Sequence, residues 1–329
     1  MTSVEHVEAT PVRVPLHAGS ERRLQVSVPA ATMWTGEQAP RPCDEAALAD
    51  LPDPAAWAAA LSDAEREDLH GRTLTQLLLG EQVWLVQEDG EWAQVRALLQ
   101  GPVQGTSGYP GWVRRTHLAA RVDRPDPDGP PASVVVTAPW ARCVADDGSA
   151  FDVSYGTALW TDRTTLDEGD VPVLLPGGRR ARLPEASVRH VDWSQPQPSY
   201  DADAVLADGR QFLDGLYLWG GTTGWGFDCS GLVHLVLRAN RVNLPRDARD
   251  QITARNLEAV HVDDVRPGDL YLFARPGQPA HHVGFASRAV GEDGTRWMLH
   301  APEGGGIEDA PMSPDRLATL VAAARPIRR

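Results

Sequence analysis

The run Tyr217-Leu-Trp-Gly-Gly-Thr-Thr-Gly-Trp-Gly-Phe-Asp228-Cys229-Ser230-Gly-Leu-Val233 decides how this chain of 329 residues is read. Asp228 has the side chain of a helix N-cap, and Leu232, Val233, Val236 and Leu237 follow at the spacing that buries one helix face. Cys229 then stands at the positive end of a helix, which favours thiolate over thiol, and a thiolate is the nucleophile of acyl transfer. The glycines around it permit close approach of a substrate backbone. Position alone fits equally a cysteine that is only a small buried hydrophobe.

The balance shifts once a base is sought downstream. His281-His282-Val-Gly-Phe-Ala286 and Trp297-Met-Leu-His300-Ala301 read as strands joined through Gly291-Glu-Asp-Gly294. A hairpin turning there brings His282 and His300 within a residue or two of opposite one another. Alternation groups His281 with Val283 and Phe285, and His282 with the small Gly284 and Ala286, leaving room for a helix end to dock. His282 is therefore the expected base and His300 the group that orients its imidazole. His234 and His261 read as ordinary core or surface histidines.

Outward from this site the chain divides into three units at the proline- and aspartate-rich seams Arg121–Pro131 and Trp193–Tyr200. Residues 200–329 form an α+β unit: a helix near Ala202–Leu213, the glycine-rich turn, the Cys229 helix and three strand-like runs. Residues 1–122 read as a small all-β barrel, with runs at Leu24–Val28 and Gln82–Gln87, a Glu88-Asp89-Gly90 turn, a return strand Trp92–Val95 and, at Tyr109-Pro-Gly-Trp-Val113, a turn followed by a closing strand. A helical insertion spans about 44–79, where Pro54 and the Ser62-Asp-Ala-Glu65 capping box open helices. Residues 132–193 read as a second barrel, with strands at Val134–Val136, Ala158–Trp160, Val171–Leu175 and Ala181–Leu183 and a turn at Pro176–Gly178.

Composition excludes several classes. A net charge of −14 leaves no basic patch for nucleic acid. Every basic residue other than histidine is arginine, so a lysine Schiff base, a Walker lysine and a serine–lysine dyad are ruled out. Cys43, Cys143 and Cys229 are odd in number and far apart, which points to a reducing compartment rather than a disulfide framework or zinc site. No metal or cofactor is expected. Met1–Gly19 carries Glu5 and Glu8 and no long apolar run, so the expectation is a cytoplasmic protein with no membrane partner.

Taken in order, Tyr217–Gly221, Asp228–Gly231, Leu244-Pro245-Arg246, Arg266-Pro-Gly-Asp269, His282-Val-Gly284 and His300-Ala301 resemble the NlpC-type family of papain-like cysteine peptidases, which cut bacterial cell-wall peptides. Upstream, Gly80–Val83, Asp89–Trp92 and Gly108–Trp112 are similar to the bacterial SH3-like barrels of the family's dipeptidyl-peptidase branch, which acts on free murein peptides during wall recycling. The resemblance implies an α+β protein with a papain-like NlpC-type catalytic domain after two SH3-like barrels. It implies hydrolysis of the γ-D-glutamyl bond to a diamino acid, releasing L-Ala-γ-D-Glu from a murein tripeptide or related peptide with a free N-terminus. Cys229, His282 and His300 would be catalytic. Asp228 and the Tyr109 hydroxyl would hold the substrate ammonium, and Ser230 and Tyr217 would bond the peptide or the oxyanion.

Two positions depart from the pattern. Ala248 stands where many relatives carry a serine that helps hold D-Glu, and Leu74 stands in place of an acidic contact to the substrate amine. No residue decides which diamino acid follows, and none sets an oligomeric state. The rival expectations are an endopeptidase that remodels intact peptidoglycan and a wall-binding protein with a silent catalytic domain. The filled catalytic positions weigh against the second, and the unapolar start of the chain against the first.

Overall fold

Alternation of buried and open side chains, as at Ala93, Val95 and Ala97 against Trp92, Gln94 and Arg96, folds the first part of the chain into antiparallel sheet. The computed structural model describes residues 22–101, 108–123, 132–161, 169–192, 194–195 and 199–327. Residues 1–21, 124–131, 193 and 196–198, which carry the stretch read as having no leader-like apolar run and much of both seams, lie outside the described residues.

The first unit contains β1 (Arg22–Val26), β2 (Ala30–Trp34), β3 (Thr73–Leu78), β4 (Gln82–Asp89), β5 (Trp92–Ala97), β6 (Tyr109–Arg114) and β7 (Leu118–Ala120). They form a seven-stranded sheet in the order β3-β2-β6-β5-β4-β1-β7. Between β2 and β3 lie α1 (Glu45–Leu48), α2 (Pro54–Ala60) and α3 (Asp63–Glu67). Asp53 caps α2 through the Ala56 N–H, and Ser62 and Glu65 cap α3 reciprocally. The insertion is shorter than the sequence suggested, because 73–78 is strand, not helix. Thr73 and Thr75 suit a pleated surface, and five of the six residues of β3 are buried between the first unit and the third, a gain no helix there would give.

The second unit repeats the plan with β8 (Ala132–Val136), β9 (Trp140–Ala145), β10 (Ala150–Ser154), β11 (Ala158–Trp160), β12 (Asp170–Leu174), β13 (Arg180–Pro184) and β14 (Val188–Asp192). Their order is β10-β9-β13-β12-β11-β8-β14. Gly177 and Gly178, at φ of 79° and 84°, make the turn between β12 and β13.

The third unit holds α4 (Ala202–Arg210), the short pair β15 (Thr222–Thr223) and β16 (Gly226–Phe227), α5 (Cys229–Ala239) and α6 (Ala248–Gln251). Its sheet contains β17 (Leu257–Val260), β18 (Leu270–Ala274), β19 (Ala280–Ala286), β20 (Trp297–His300), β21 (Glu308–Pro311) and β22 (Leu320–Pro326), with α7 (Pro314–Leu317) before the last strand. The order β17-β22-β18-β19-β20-β21 gives six strands where three were expected. The others are hard to read locally: β21 is polar and β22 is alanine-rich. Ten of the eleven residues of α5 are buried, so this helix is enclosed all round rather than on one face. The architecture is the expected α+β unit behind two small all-β units.

One core joins all three. Leu232, Val236, Val283, Phe285 and Leu299 of the third unit pack in a cluster that takes Leu78 from the first and Val135, Tyr155 and Val191 from the second. A hollow of about 430 Å³ remains at this seam, lined by Glu81, Trp160 and Arg238 among others, and includes none of the candidate site residues. No helix among the described residues is long and apolar enough to cross a membrane.

Two histidines outside the site are buried neutral. His117 bonds the Ala49 carbonyl at 2.7 Å and His234 the Leu244 carbonyl at 2.8 Å, so His234 is a core histidine as read. Burial lowers the His117 pKa to about 4 and holds His234 well below its ordinary value. Below pH 6.5 the unfolded chain therefore binds protons the folded chain refuses, and stability falls with pH until the folded groups titrate. Each histidine contributes a slope of about 1.4 kcal/mol per pH unit in that window. Urea midpoints should fall steadily from pH 7 to pH 5, ahead of carboxylate titration; a flat profile there contradicts neutral burial.

Candidate active site

Cys229 is the first residue of α5, and the Asp228 carboxylate caps that helix by accepting the Gly231 N–H at 2.7 Å. Gly231 is required by close approach: a Cβ there would lie 2.1 Å from the Gly221 carbonyl oxygen. The glycine-rich turn and the helix end are thereby pressed together. The sulfur is buried against β19, 4.0 Å from the His281 carbonyl oxygen. Among the described residues nothing accepts a hydrogen bond from the Cys229 N–H, which stays available at the positive helix end.

In the β19–β20 pair Phe285 faces Leu299, so His282 stands slightly further along than His300, as the hairpin reading anticipated. Gly284 lies between them: a Cβ there would sit 2.8 Å from that of His300. The room it leaves lets His282 Nε2 meet His300 Nδ1 at 2.9 Å, with the rings edge to face. His300 Nε2 in turn meets Glu308 Oε1 at 3.1 Å.

The carboxylate fixes the protons along this line. Glu308 only accepts, so neutral His300 carries its proton on Nε2 and presents a bare Nδ1. That nitrogen accepts the His282 Nε2 proton, which leaves His282 Nδ1 bare and free to take a proton from a thiol. His281 points away and is more exposed, as alternation required.

Burial governs the resting charges. It pushes the Cys229 thiol up to about 12, with the Asp228 charge acting in the same sense. It holds His282 well below the usual imidazole range and takes His300 to about 3, in both cases ahead of the repulsion from Arg316. Burial thus disfavours both the thiolate and the imidazolium at rest. The helix-end effect expected to favour thiolate is present, but it is the smaller influence.

The Asp228 carboxylate is buried and fully engaged. Oδ1 accepts from Gly231 N, Arg246 Nη1 and the Ser230 hydroxyl, and Oδ2 from Gly220 N and Arg246 Nη2, at 2.6–3.2 Å. Five donors fill the roughly four lone-pair sites of a carboxylate. Tyr109 does not meet it. The Tyr109 hydroxyl lies 3.0 Å from both oxygens of Asp247, a carboxylate that the sequence reading did not name beside it. Asp228 is held by Arg246, and the carboxylate left open to the first unit's tyrosine is Asp247.

Ser230 shares the buried network, accepting from Arg246 Nη1 at 2.9 Å. The half-buried Tyr217 hydroxyl is kept neutral by burial, then by the charges of Asp228 and Glu303. Ala248 is buried in α6, and Leu74 packs half-buried against the first unit's core. Sequence reasoning missed Arg246, Asp247 and Glu308 as site residues. Glu308 was reachable in principle, since it lies directly opposite His300 across the glycine-rich turn.

Residues 215–325 match the NlpC/P60 family. The chain is 32% identical over 286 residues to a "Gamma-D-glutamyl-L-lysine dipeptidyl-peptidase" of Bacillus cereus, covering 84% of this chain and 82% of the relative. The chain belongs to the NlpC/P60 family. A protein of the same description from Bacillus subtilis is 33% identical over 84% of this chain and 88% of its own length. The crystal structure of an NlpC/P60 family protein from Bacillus cereus superposes with a TM-score of 0.83 at 29% identity, covering 93% of this chain and all of the other. This NlpC/P60 protein is a cysteine peptidase, and the two all-β units belong to the shared architecture.

Arg246→Met should lower stability by about 3–5 kcal/mol, because it strands the buried Asp228 charge, and urea unfolding checks this. Glu308→Gln should lower kcat by about tenfold with KM little changed, since it weakens only the orientation of His300. Unaltered kcat would remove Glu308 from the relay.

Proposed function

We propose that this peptidase hydrolyses the γ-D-glutamyl–diamino acid bond of small murein peptides whose N-terminal L-Ala amine is free, releasing L-Ala-γ-D-Glu. The observation that carries this reading is the meeting of Tyr109, from the first barrel unit, with Asp247 of the catalytic unit at 3.0 Å. A phenol and a carboxylate together suit an ammonium ion; Asp247 keeps part of its surface open, and its Oδ2 pairs at 3.0 Å with the largely exposed Arg249, a partner free to swing out into water. Asp247 follows Arg246, whose guanidinium holds the residue before Cys229, so this ammonium site belongs to the acyl side of the nucleophile. The names of the two Bacillus relatives point to the same bond.

In this mechanism His282 Nδ1 takes the Cys229 proton as the sulfur attacks the γ-carbonyl carbon of D-Glu. The Cys229 N–H and the Tyr217 hydroxyl face the oxyanion. Collapse breaks the C–N bond, and His282 returns the proton to the leaving amine. Water, deprotonated by the same imidazole, then cleaves the thioester. All three cysteines are free thiols, which supports a reducing, cytoplasmic setting and a role in peptide recycling.

Cys229→Ser should abolish turnover while leaving the fold intact, and His282→Ala should cost several orders of magnitude where His281→Ala costs little. The reverse ranking of the histidines would reassign the base. For the substrate, kcat/KM should be at least roughly tenfold higher for a tripeptide with a free amine than for its N-acetylated form, and Tyr109→Phe should shrink that ratio. Equal rates, or rapid release of fragments from purified sacculi, would return the protein to wall remodelling; binding to sacculi with no turnover of any peptide would make it a silent wall-binding protein.

A further inference from the structure

One cation at the site is unused by this chemistry. Arg316 lies on the single turn α7, whose Ser313 hydroxyl accepts the Arg316 N–H at 3.2 Å. Its guanidinium carbon lies 5.4 Å from the centroid of the Phe273 ring, and that ring lies 5.6 Å from the ring of His282. The arginine is thus one aromatic ring away from the expected base. Among the described residues its guanidinium makes neither a hydrogen bond nor an ion pair, although most of the ion-paired arginines of this acidic chain reach a carboxylate at 3 Å or less.

Its surroundings fix which side of Cys229 it serves. The acyl side is taken by Ser230, Asp247 and Tyr109, which approach from α5, the residue before α6 and the first unit. Arg316 comes from the opposite flank, where β18 and β19 carry Phe273 and His282. His282 must hand its proton to the leaving amine, so the leaving group lies on that flank. Half-burial lowers the pKa of Arg316, and the carboxylates of Glu308 and Glu303 oppose this, so the guanidinium lies within reach of the rim that carries the partner of His300.

The leaving amine of a diamino acid is bonded to a carbon that also bears a carboxyl group. That group is free when the diamino acid ends the peptide, and is an amide when the stem peptide continues. Resting on the function proposed above, we propose that Arg316 receives the free carboxylate of the leaving diamino acid, so that the enzyme selects peptides ending at that residue. A guanidinium half out of water with a flat aromatic floor offers a planar pair of donors to a planar carboxylate, a stronger contact than a neutral carboxamide can make.

The test compares kcat/KM at pH 8 for L-Ala-γ-D-Glu-L-Lys with a free C-terminal carboxylate and for the same peptide as its C-terminal amide. Wild type should prefer the carboxylate by at least about tenfold. Arg316→Met should bring that ratio close to one, and Arg316→Lys should restore part of it. A purely structural arginine would lower both rates together and leave the ratio unchanged, which overturns the proposal. Equal wild-type rates on the two peptides would overturn it alone and leave the γ-D-glutamyl reading intact. If wild type cleaves neither peptide, both fall. Removing the cation also relieves the repulsion on His282, so the acid limb of kcat/KM should move to higher pH in Arg316→Met.

Discussion

The buried pair between Asp228 and Arg246 is the interaction on which the rest of the structure depends. Arg246 is 1% exposed and reaches Asp228 with two nitrogens, the Ser230 hydroxyl with one of these, and Thr75 of β3 with its Nε. The same carboxylate caps α5 and holds the Gly220 N–H. Helix end, glycine turn, α6 approach and first unit are thus registered to one charged centre. Burying such a pair contributes little net stability, because the desolvation of two ions offsets their attraction. What it gives is a defined geometry: any shift of one element strands a charge in the core.

Around this centre the first unit is fastened by polar contacts. Gln76 of β3 exchanges bonds with Thr222 through both backbone and side chain, Thr73 donates to the Trp219 carbonyl, and Gln100 reaches back to Gln76. His70 lies against the Trp219 ring at 4.1 Å, and Leu218 enters the core of the helical insertion. The strand that local sequence made into the tail of a helical insertion is the one that carries most of these contacts. Its helical propensity was a weak signal against partners 146 residues away.

The difference between what was and was not legible follows the same division. Cys229, His282 and His300 announce themselves because helix capping and strand alternation are local patterns, and the structure brings the two histidines together at 2.9 Å. Glu308 depends on a second hairpin whose strand, Glu308–Pro311, has no apolar alternation to reveal it. Asp247 depends on a tyrosine from another unit, and Arg316 on a single turn with no capacity to form alone. The opposing pull of burial on the nucleophile was not legible for a related reason. Position in a helix is local, but burial is not, and burial, followed by the Asp228 charge, pushes the thiol up against the pull of the helix end.

Burial at the site bears on how selectivity can arise. Because it disfavours a standing thiolate–imidazolium pair, it favours proton transfer coupled to attack, so contacts that hold the peptide at the sulfur count toward the transition state as well as toward binding. In the proposed reading the two ends of the substrate are held separately, the ammonium by Tyr109 and Asp247 and the carboxylate by Arg316. These groups come from different elements and share no partner among the contacts described, so losses at the two ends should combine nearly additively in free energy. A tenfold loss at each end then becomes about a hundredfold loss for a stem peptide amidated at both, which is the state of the intact wall. Exclusion of the wall needs no lid under this scheme; it follows from two ordinary charge-assisted contacts on opposite sides of one sulfur.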